Sequence, residues 1–438
     1  MKFATAQSGV GKIDSQERSQ TSKRIFHGWI IIAVSLLSVA FAHSGVVNFG
    51  FSSFILPLSQ EFGFTRGSVS FALTASLLAY TAGVTFTGAL IDKYGARRVL
   101  MIGTALYGAL VCSMYFMTGS LWHLYGMYAL LGIVGTSVSM IPHARLAVSW
   151  FDKRKGLALA LSSCGAGLAA VLIPPLIVWL IDSFGWREAY AFLGSMSLLL
   201  CLPLIHWLVR NTPHEMATYV DGIPPDASRL ETPDAMAMYG YAFRDCLRNP
   251  RFWRIAGLFA LFAATHAGPV SQLIPLLVDY GFTRSTAANT ASFLGAALIV
   301  GRLSCGYLVD RFHAPYVAAG FQLMPVFGFV ALVVEPGYWT AILGVVTLGL
   351  AMGAEFDVMP FLCVQYFGRF AFGKNYGVVL IMFALGSGIA AALAGASYDV
   401  FASYSVLLSA AAALSTVGVC LLASIGPPAP LPKQSGTS

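Results

Sequence analysis

Twelve long apolar runs divide this 438-residue chain, and they constrain its fold more than any other feature. Each is long enough to cross the ~30 Å hydrocarbon core of a bilayer as a helix, which takes roughly 20 residues. Because backbone groups in lipid need partners within the chain, only helices or closed barrels can span it, and barrel strands are about ten residues long. We number the predicted spans 1 to 12 in chain order: 28–57, 68–91, 98–117, 123–149, 157–181, 188–209, 253–279, 286–309, 315–334, 338–366, 375–398 and 403–424.

Charge is scarce in this chain and unevenly placed. Only 10% of residues are charged, against about 25% in soluble domains, so most of the surface must face lipid. If the N-terminus is cytoplasmic, 21 of the 26 Lys and Arg residues fall on cytoplasmic segments and 3 on outer loops. The positive-inside rule therefore predicts that both termini lie in the cytoplasm. We expect a plasma-membrane protein, of the bacterial inner-membrane kind. The sequence has no basic cluster interleaved with aromatics, which argues against nucleic-acid binding.

The polar stretch between spans 6 and 7 separates two halves that resemble each other. The spacing of Gly83, Gly88 and Asp92 at the end of span 2 recurs 218 residues later at the end of span 8. Duplicated halves are typical of transporters built from parallel repeats. We predict an all-α membrane protein of two pseudo-symmetric six-helix bundles, in five segments: a cytoplasmic tail 1–27, an N-terminal bundle 28–209, a cytoplasmic linker 210–252, a C-terminal bundle 253–424 and a cytoplasmic tail 425–438.

The loop between spans 2 and 3 carries a motif that resembles one of the major facilitator superfamily. It reads Gly88-Ala-Leu90-Ile-Asp92-Lys93-Tyr-Gly95-Ala-Arg97-Arg98. Within that superfamily the chain is most similar to the monocarboxylate porter and oxalate/formate antiporter group. Four features carry this similarity: His27-Gly28-Trp29, Pro142 nine residues before Phe151 with Lys153-Arg154-Lys155-Gly156 after it, Gly301-Arg302, and Phe367-Gly368. In that group the span 8 arginine binds the substrate carboxylate, which the resemblance implies for Arg302.

The chain departs from that group at some positions. Proton-coupled animal porters carry an aspartate one turn before the span 8 arginine, and this chain has Leu298 there. The span 1 lysine of those porters and the span 11 lysine of the oxalate exchanger are also absent at mid-depth. These departures argue against lactate coupling of the animal type and against oxalate exchange.

Arg302 is the position that most sharply predicts a substrate. It lies eight residues before Asp310, about 12 Å inside the cytoplasmic end of span 8. A guanidinium at that depth costs at least ~3 kcal/mol unless it is paired or faces a wet cavity. Its planar fork suits bidentate binding of a carboxylate. The alternative role is an internal ion pair that holds two helices together.

Two acids in span 10, Glu355 and Asp357, form the predicted proton-coupling site. Acidic residues at mid-membrane mark ion or proton paths. They lie two residues apart, about 200° around the helix, so both cannot face one cavity. One would face the path while the other pairs laterally or stays protonated. The alternative is a structural pair with Arg302 or Arg145.

Other polar residues in the spans are candidate substrate ligands. In the fold that the chain resembles, spans 1 and 7 line the cavity, and span 4 carries polar groups near its cytoplasmic end. The alternatives are packing roles for the histidines and, for the span 4 arginine, snorkelling to the interface. The predicted ligands besides Arg302 are His43 and Asn48 in span 1, His143 and Arg145 in span 4, and His266 and Gln272 in span 7.

The charges after spans 2 and 8 form a predicted cytoplasmic gate. They would hold the outward-facing state closed at its inner side, or they would only set the topology through the positive-inside rule. The predicted gate residues are Asp92, Arg97, Arg98, Asp310 and Arg311.

We find no nucleophile–base pair, metal-ligand cluster or phosphate-binding loop in the sequence. The prediction is therefore a transporter rather than an enzyme, monomeric, without a cofactor or metal, and driven by a gradient. The favoured function is proton-coupled symport of a small organic anion, aliphatic or aromatic. The alternatives are an anion exchanger or efflux antiporter and, from a different class, a receptor built on a transporter fold.

Overall fold

The structure is a computed structural model that describes residues 26–216, 218–222, 240–309, 311–334, 337–368 and 370–426. Apart from one isolated bridge between Gly240 and Gly368, the described residues form helices and loops without a β-strand. Eleven helices are long and apolar enough to cross a membrane, and a bent pair of helices supplies a twelfth span. The predicted fold class, twelve helices in two six-helix bundles, is confirmed.

Eight spans are single helices in the structure. Spans 2, 3, 5 and 8 to 12 are Arg66–Tyr94, Ala96–Ser113, Lys155–Phe184, Arg284–Val309, Ala314–Val334, Tyr338–Phe367, Phe372–Phe401 and Ser405–Ala423. The other four are interrupted: span 1 is His27–Ala40, a π-helix Ser44–Phe49 and Phe51–Phe62; span 4 is Leu121–Gly135 and Met140–Trp150; span 6 is Trp186–Met196, a π-helix Ser197–Cys201 and Leu202–Leu208; span 7 is Pro250–Ser271 and Leu273–Asp279.

Proline explains two of these interruptions. Its ring lacks an N–H and clashes with the carbonyl four residues earlier. Pro275 in this way disturbs the helix at Ser271, and span 7 bends there by 54°. Pro203 acts on the π-helix of span 6 in the same manner. Span 10, by contrast, continues as one helix through Pro360.

The two bundles repeat the same pairings of helices. In the N-terminal bundle span 2 packs on span 4, span 1 on span 5, and span 3 on span 6. In the C-terminal bundle the corresponding contacts join span 8 to span 10, span 7 to span 11, and span 9 to span 12. The bundles meet along two further lines, where span 2 packs on span 11 and span 5 packs on span 8. This arrangement places spans 2, 5, 8 and 11 at the interface between the bundles.

Candidate functional site

A network around Arg66 joins spans 2, 7 and 11 across the two bundles, at the helix ends that the sequence predicts to lie on the outer side. Its guanidinium donates to both carboxylate oxygens of Asp279, at 2.7 and 3.1 Å, and to the Tyr404 hydroxyl at 2.8 Å. The backbone N–H groups of Arg66 and Gly67 donate to the two carboxylate oxygens of Asp399, at 3.1 and 2.8 Å. Asp399 thus satisfies free N–H groups at the start of span 2, where the helix dipole favours a negative charge.

Gln272, predicted as a substrate ligand, extends this network. It lies fully buried at the bend of span 7, and its amide Nε2 donates to Ser70 Oγ at 2.7 Å. The Tyr404 hydroxyl donates to Gln272 Oε1 at 3.1 Å. Burial raises the pKa of the Tyr404 phenol above its ordinary value, so the hydroxyl stays protonated and remains a donor at neutral pH. In this state the structure therefore places Gln272 in the contact between the bundles.

A hydroxyl–carbonyl contact deeper in the interface occurs twice. Thr74 of span 2 donates to the carbonyl of Gly388 in span 11 at 2.6 Å. Ser292 of span 8 donates to the carbonyl of Val171 in span 5 at 2.8 Å. Ser292 follows Thr74 by 218 residues, which is the offset of the sequence repeat. The duplicated halves therefore contact each other through a duplicated pair of hydrogen bonds.

The arginine at the start of span 2 also has its counterpart in the repeat. Arg284 begins span 8, 218 residues after Arg66, and its guanidinium lies 3.8 Å from Asp182 at the end of span 5. It also donates to Gln60 of span 1 at 2.9 Å. Asp182 lies near the end of span 5 and Asp399 near the end of span 11, and these two spans correspond to each other in the repeat. We call Arg66 with Asp279 and Asp399, and Arg284 with Asp182, together with their hydroxyl contacts, the two outer clamps.

The opposite ends of the spans, which the sequence predicts to be cytoplasmic, show a different pattern. Among the described gate residues, Arg97 donates to the carbonyl of His206 at 2.6 Å, and the Arg311 guanidinium lies 3.9 Å above the ring of Tyr307. Both contacts stay within one bundle, and Asp92 and Arg98 are exposed. Asp310 lies outside the described residues. Since the outer side is clamped across the bundles, a role of these charges in closing the inner side of the opposite state stays a prediction.

Arg302 lies at the contact between spans 8 and 10. Its side chain is half-buried, and its guanidinium lies 5.6 Å from the centre of the Phe356 ring. The backbones of the two spans touch here, because a Cβ on Gly353 would meet the carbonyl of Leu298 and lie 2.8 Å from the Arg302 nitrogen. This close packing fixes the backbone from which the Arg302 side chain extends.

Glu355 and His266, predicted for different roles, are in direct contact. Nδ1 of His266 lies 2.9 Å from Oε2 of Glu355, and the two side chains are only 3% and 2% exposed. The contact joins span 7 to span 10 inside the C-terminal bundle. Asp357 lies on the same helix, and its side chain is outside the described part of the structure.

The remaining predicted ligands lie in separate environments. His43 is buried and stacks on Tyr80 with 4.8 Å between ring centres. His143 is buried as well, and neither of its ring nitrogens has a hydrogen-bond partner among the described residues. Asn48 is half-buried in the π-helix of span 1, and Arg145 is exposed.

Sequence reasoning missed most of the outer clamps. In the sequence, Arg66 and Arg284 are two of the three basic residues on the predicted outer loops, and no pattern singles out Asp279 or Tyr404. The 218-residue offset that relates Arg66 to Arg284 was a usable signal, because the same offset relates the motifs after spans 2 and 8. A pair of matching arginines at matching helix starts indicates a function in both halves.

Comparisons with known proteins show the family and the fold of this chain. The family model described as Major Facilitator Superfamily matches residues 36–391. A relative named monocarboxylate transporter 13, from Bos taurus, is 27% identical over 414 residues, covering 91% of this chain and 89% of its own. An uncharacterized MFS-type transporter of Escherichia coli strain K12, YhjX, is 23% identical over 369 residues, covering 82% and 85%. A solved bacterial homolog of the human lysosomal transporter Spinster, inward-facing and unoccupied, has the same fold, with a TM-score of 0.65 at 16% identity over 92% of this chain and 95% of its own.

Proposed function

This chain belongs to the Major Facilitator Superfamily and is an integral membrane transporter, and we propose that it carries a small organic anion together with protons. The anion is a mono- or dicarboxylate, aliphatic or aromatic. The two bundles rock about a site near the middle of the membrane, so that access alternates between its two sides.

Arg302 is the observation that carries this proposal. Its charge lies about 10 Å inside the cytoplasmic end of span 8, at seven residues before Val309. A planar guanidinium binds a carboxylate through two parallel hydrogen bonds, with a geometry that an ammonium does not offer. The name of the Bos taurus relative, a monocarboxylate transporter, supports the same class of substrate.

The proton would be carried by a carboxyl of span 10, Glu355 or Asp357. A carboxyl that is desolvated in one state and reaches water in the other binds and releases a proton as the protein changes conformation. We place the protein in a plasma membrane, of the bacterial inner-membrane kind. The distribution of Lys and Arg supports an orientation with both termini in the cytoplasm. We further propose that one chain suffices for transport, with residues 28–209 and 253–424 as its two moving bodies.

A thermal-shift screen of the purified protein with lactate, succinate and benzoate tests the substrate class. At least one carboxylate should raise the melting temperature of the wild type, because a ligand that binds the folded state stabilises it. Arg302→Ala should lose that shift. Arg244→Ala, which removes an exposed cytoplasmic arginine, should keep it. An equal shift in Arg302→Ala and the wild type would rule out the carboxylate role of Arg302.

Uptake into proteoliposomes tests the coupling. A carboxylate that binds should accumulate faster when the outside is more acidic than the inside. Uptake that ignores the proton gradient but is accelerated by the same carboxylate loaded inside would identify an exchanger instead.

A further inference from the structure

We propose that His266 and Glu355 together form the proton-binding site of this transporter, separate from the anion site at Arg302. The inference rests on the proposed proton coupling and deepens it. It selects one of the two span 10 acids, and it moves His266 from the predicted substrate site to the proton site.

The geometry of the pair is that of a shared proton. Nδ1 of His266 and Oε2 of Glu355 are 2.9 Å apart, which is a normal hydrogen-bond distance. Both side chains are at least 97% buried, so bulk water does not separate or screen them. The two residues are 89 positions apart in sequence and come from spans 7 and 10. The proton therefore bonds span 7 to span 10 within the C-terminal bundle.

Burial limits this pair to one proton in the conformation observed. With one proton, the pair is neutral overall, either as imidazolium and carboxylate or as two uncharged groups. Removing that proton leaves a buried carboxylate, and adding another leaves a buried imidazolium, and an uncompensated buried charge is strongly unfavourable. The pair should therefore keep its proton until the conformation changes and water reaches it.

Polar groups beside the pair have unused hydrogen-bonding capacity. Among the described residues, no partner contacts Nε2 of His266, Oε1 of Glu355 or Oε1 of Gln322. Glu355 and Gln322 line the same small void between spans 7, 9, 10 and 12, which has room for about one water molecule. A water there would complete the hydrogen bonding of these groups in the observed conformation. Once the void opens to bulk water, an O–H bond of hydronium breaks as an O–H bond to Glu355 or an N–H bond to His266 forms, and release is the reverse of this step.

Few ionisable residues of the C-terminal bundle lie at the depth of the His266–Glu355 pair. Spans 9, 11 and 12 place their ionisable side chains near the helix ends, and span 7 places its two arginines at its cytoplasmic start. The other ionisable groups towards the middle of the bundle are Arg302 and Cys305 on span 8 and Asp357 and Cys363 on span 10. Arg302 is the fixed positive charge among them, and an anion bound to it would change the field at Glu355.

Span 7 connects the pair to the outer clamps. Gln272 follows His266 by six residues and donates to Ser70 of the N-terminal bundle. Opening of the outer side must break this bond and shift the span that carries His266. Protonation of the pair and closure of the outer side thus act on one helix, which is the physical requirement for coupling the two.

The test uses proteoliposomes that contain a pH-sensitive dye, with lactate, succinate and benzoate as probes. In the wild type, the transported carboxylate should acidify the interior. Glu355→Gln keeps the shape and the contact with His266 but has no exchangeable acid proton. Glu355→Gln and His266→Gln should both abolish acidification while labelled carboxylate still exchanges across the membrane. Ser415→Ala, which alters a buried hydroxyl of the same bundle, should behave as the wild type.

The variant Asp357→Asn distinguishes a failure of this inference from a failure of the proposed proton coupling. If it abolishes acidification while Glu355→Gln retains it, proton coupling stands and this inference is wrong. If the wild type moves the carboxylate without acidification, the proposed coupling fails and this inference fails with it. Should a single variant not fold, the double variant His266→Gln/Glu355→Gln gives the same reading, because it leaves no buried charge at this site.

Discussion

The predicted role of Arg302 depends on the planar shape of its guanidinium as well as on its charge. Its base is fixed where Gly353 lets spans 8 and 10 touch, and its guanidinium lies near the Phe356 ring. A guanidinium presents two parallel N–H groups to a carboxylate, whereas an ammonium acts as a point charge on a flexible stem. A charge-preserving substitution therefore separates the two contributions.

Arg302→Lys should bind the carboxylate found in the screen more weakly than the wild type. Loss of one charge-assisted hydrogen bond costs about 1.5–3 kcal/mol, or roughly a 10- to 150-fold weaker affinity. Isothermal titration calorimetry of the two proteins measures the difference. Equal affinities would mean that only the charge matters and that no bidentate contact forms.

At the scale of helices, glycines determine how closely the bundles approach. A Cβ on Gly395 of span 11 would lie 2.5 Å from Ser70 Oγ and 2.7 Å from the carbonyl of Arg66 in span 2. Both distances are far below an ordinary contact, and the carbonyl cannot rotate away. The first outer clamp therefore depends on the absence of a side chain at this position.

Gly395→Ala should push spans 2 and 11 apart and favour the state that is open outside. Ala391, fully buried and packed against the N-terminal bundle, provides a reporter when replaced by cysteine in a cysteine-free background. Its labelling by a membrane-impermeant maleimide should accelerate in Gly395→Ala. Gly257→Ala is the matched control, since a Cβ there meets nothing within 4 Å. Similar acceleration in both variants would contradict a steric origin, because alanine favours a helix equally at either site.

At the scale of the whole molecule, the two outer clamps both stabilise the state that is closed on the outer side. If the bundles move as rigid bodies, both clamps therefore shift the same equilibrium between the closed and the open state. Arg66 and Arg284 lie on different spans of opposite bundles, and each contacts a carboxylate across the interface. The Arg66 side chain is the more buried of the two, since 15% of it is exposed, against 33% for Arg284. Exposed pairs contribute about 0–1 kcal/mol, so the Arg284 clamp should be the weaker.

Arg66→Ala and Arg284→Ala should both accelerate labelling of the Ala391→Cys reporter, the former more strongly. In the double variant the two free energies should add, so the accelerations should multiply. The response to Arg284→Ala is decisive, because Arg284 begins span 8 and contacts Asp182 of span 5, whereas the reporter lies on span 11. No response there would show that the clamps act only locally.

Much of the fold could be predicted from the sequence, because few backbone structures satisfy all their hydrogen bonds in lipid. Apolar runs of sufficient length must be helices, and the Lys and Arg distribution orients them. The interruptions were harder to foresee: Pro275 bends span 7, yet span 10 runs straight through Pro360. Neighbouring helices decide how a freed carbonyl in a membrane helix is satisfied, and a sequence does not show those neighbours.

The sequence by itself determined the number of spans, the duplication and the rarity of charge at membrane depth, since these depend on composition and spacing along the chain. Only the tertiary structure decided which polar groups meet. His266 contacts Glu355, and Gln272 contacts Ser70 of the other bundle. Such pairs join helices far apart in sequence, and a rotation of a helix by one residue, about 100°, would redirect every side chain on it. Packing of the whole bundle sets that rotation, and no local pattern encodes it.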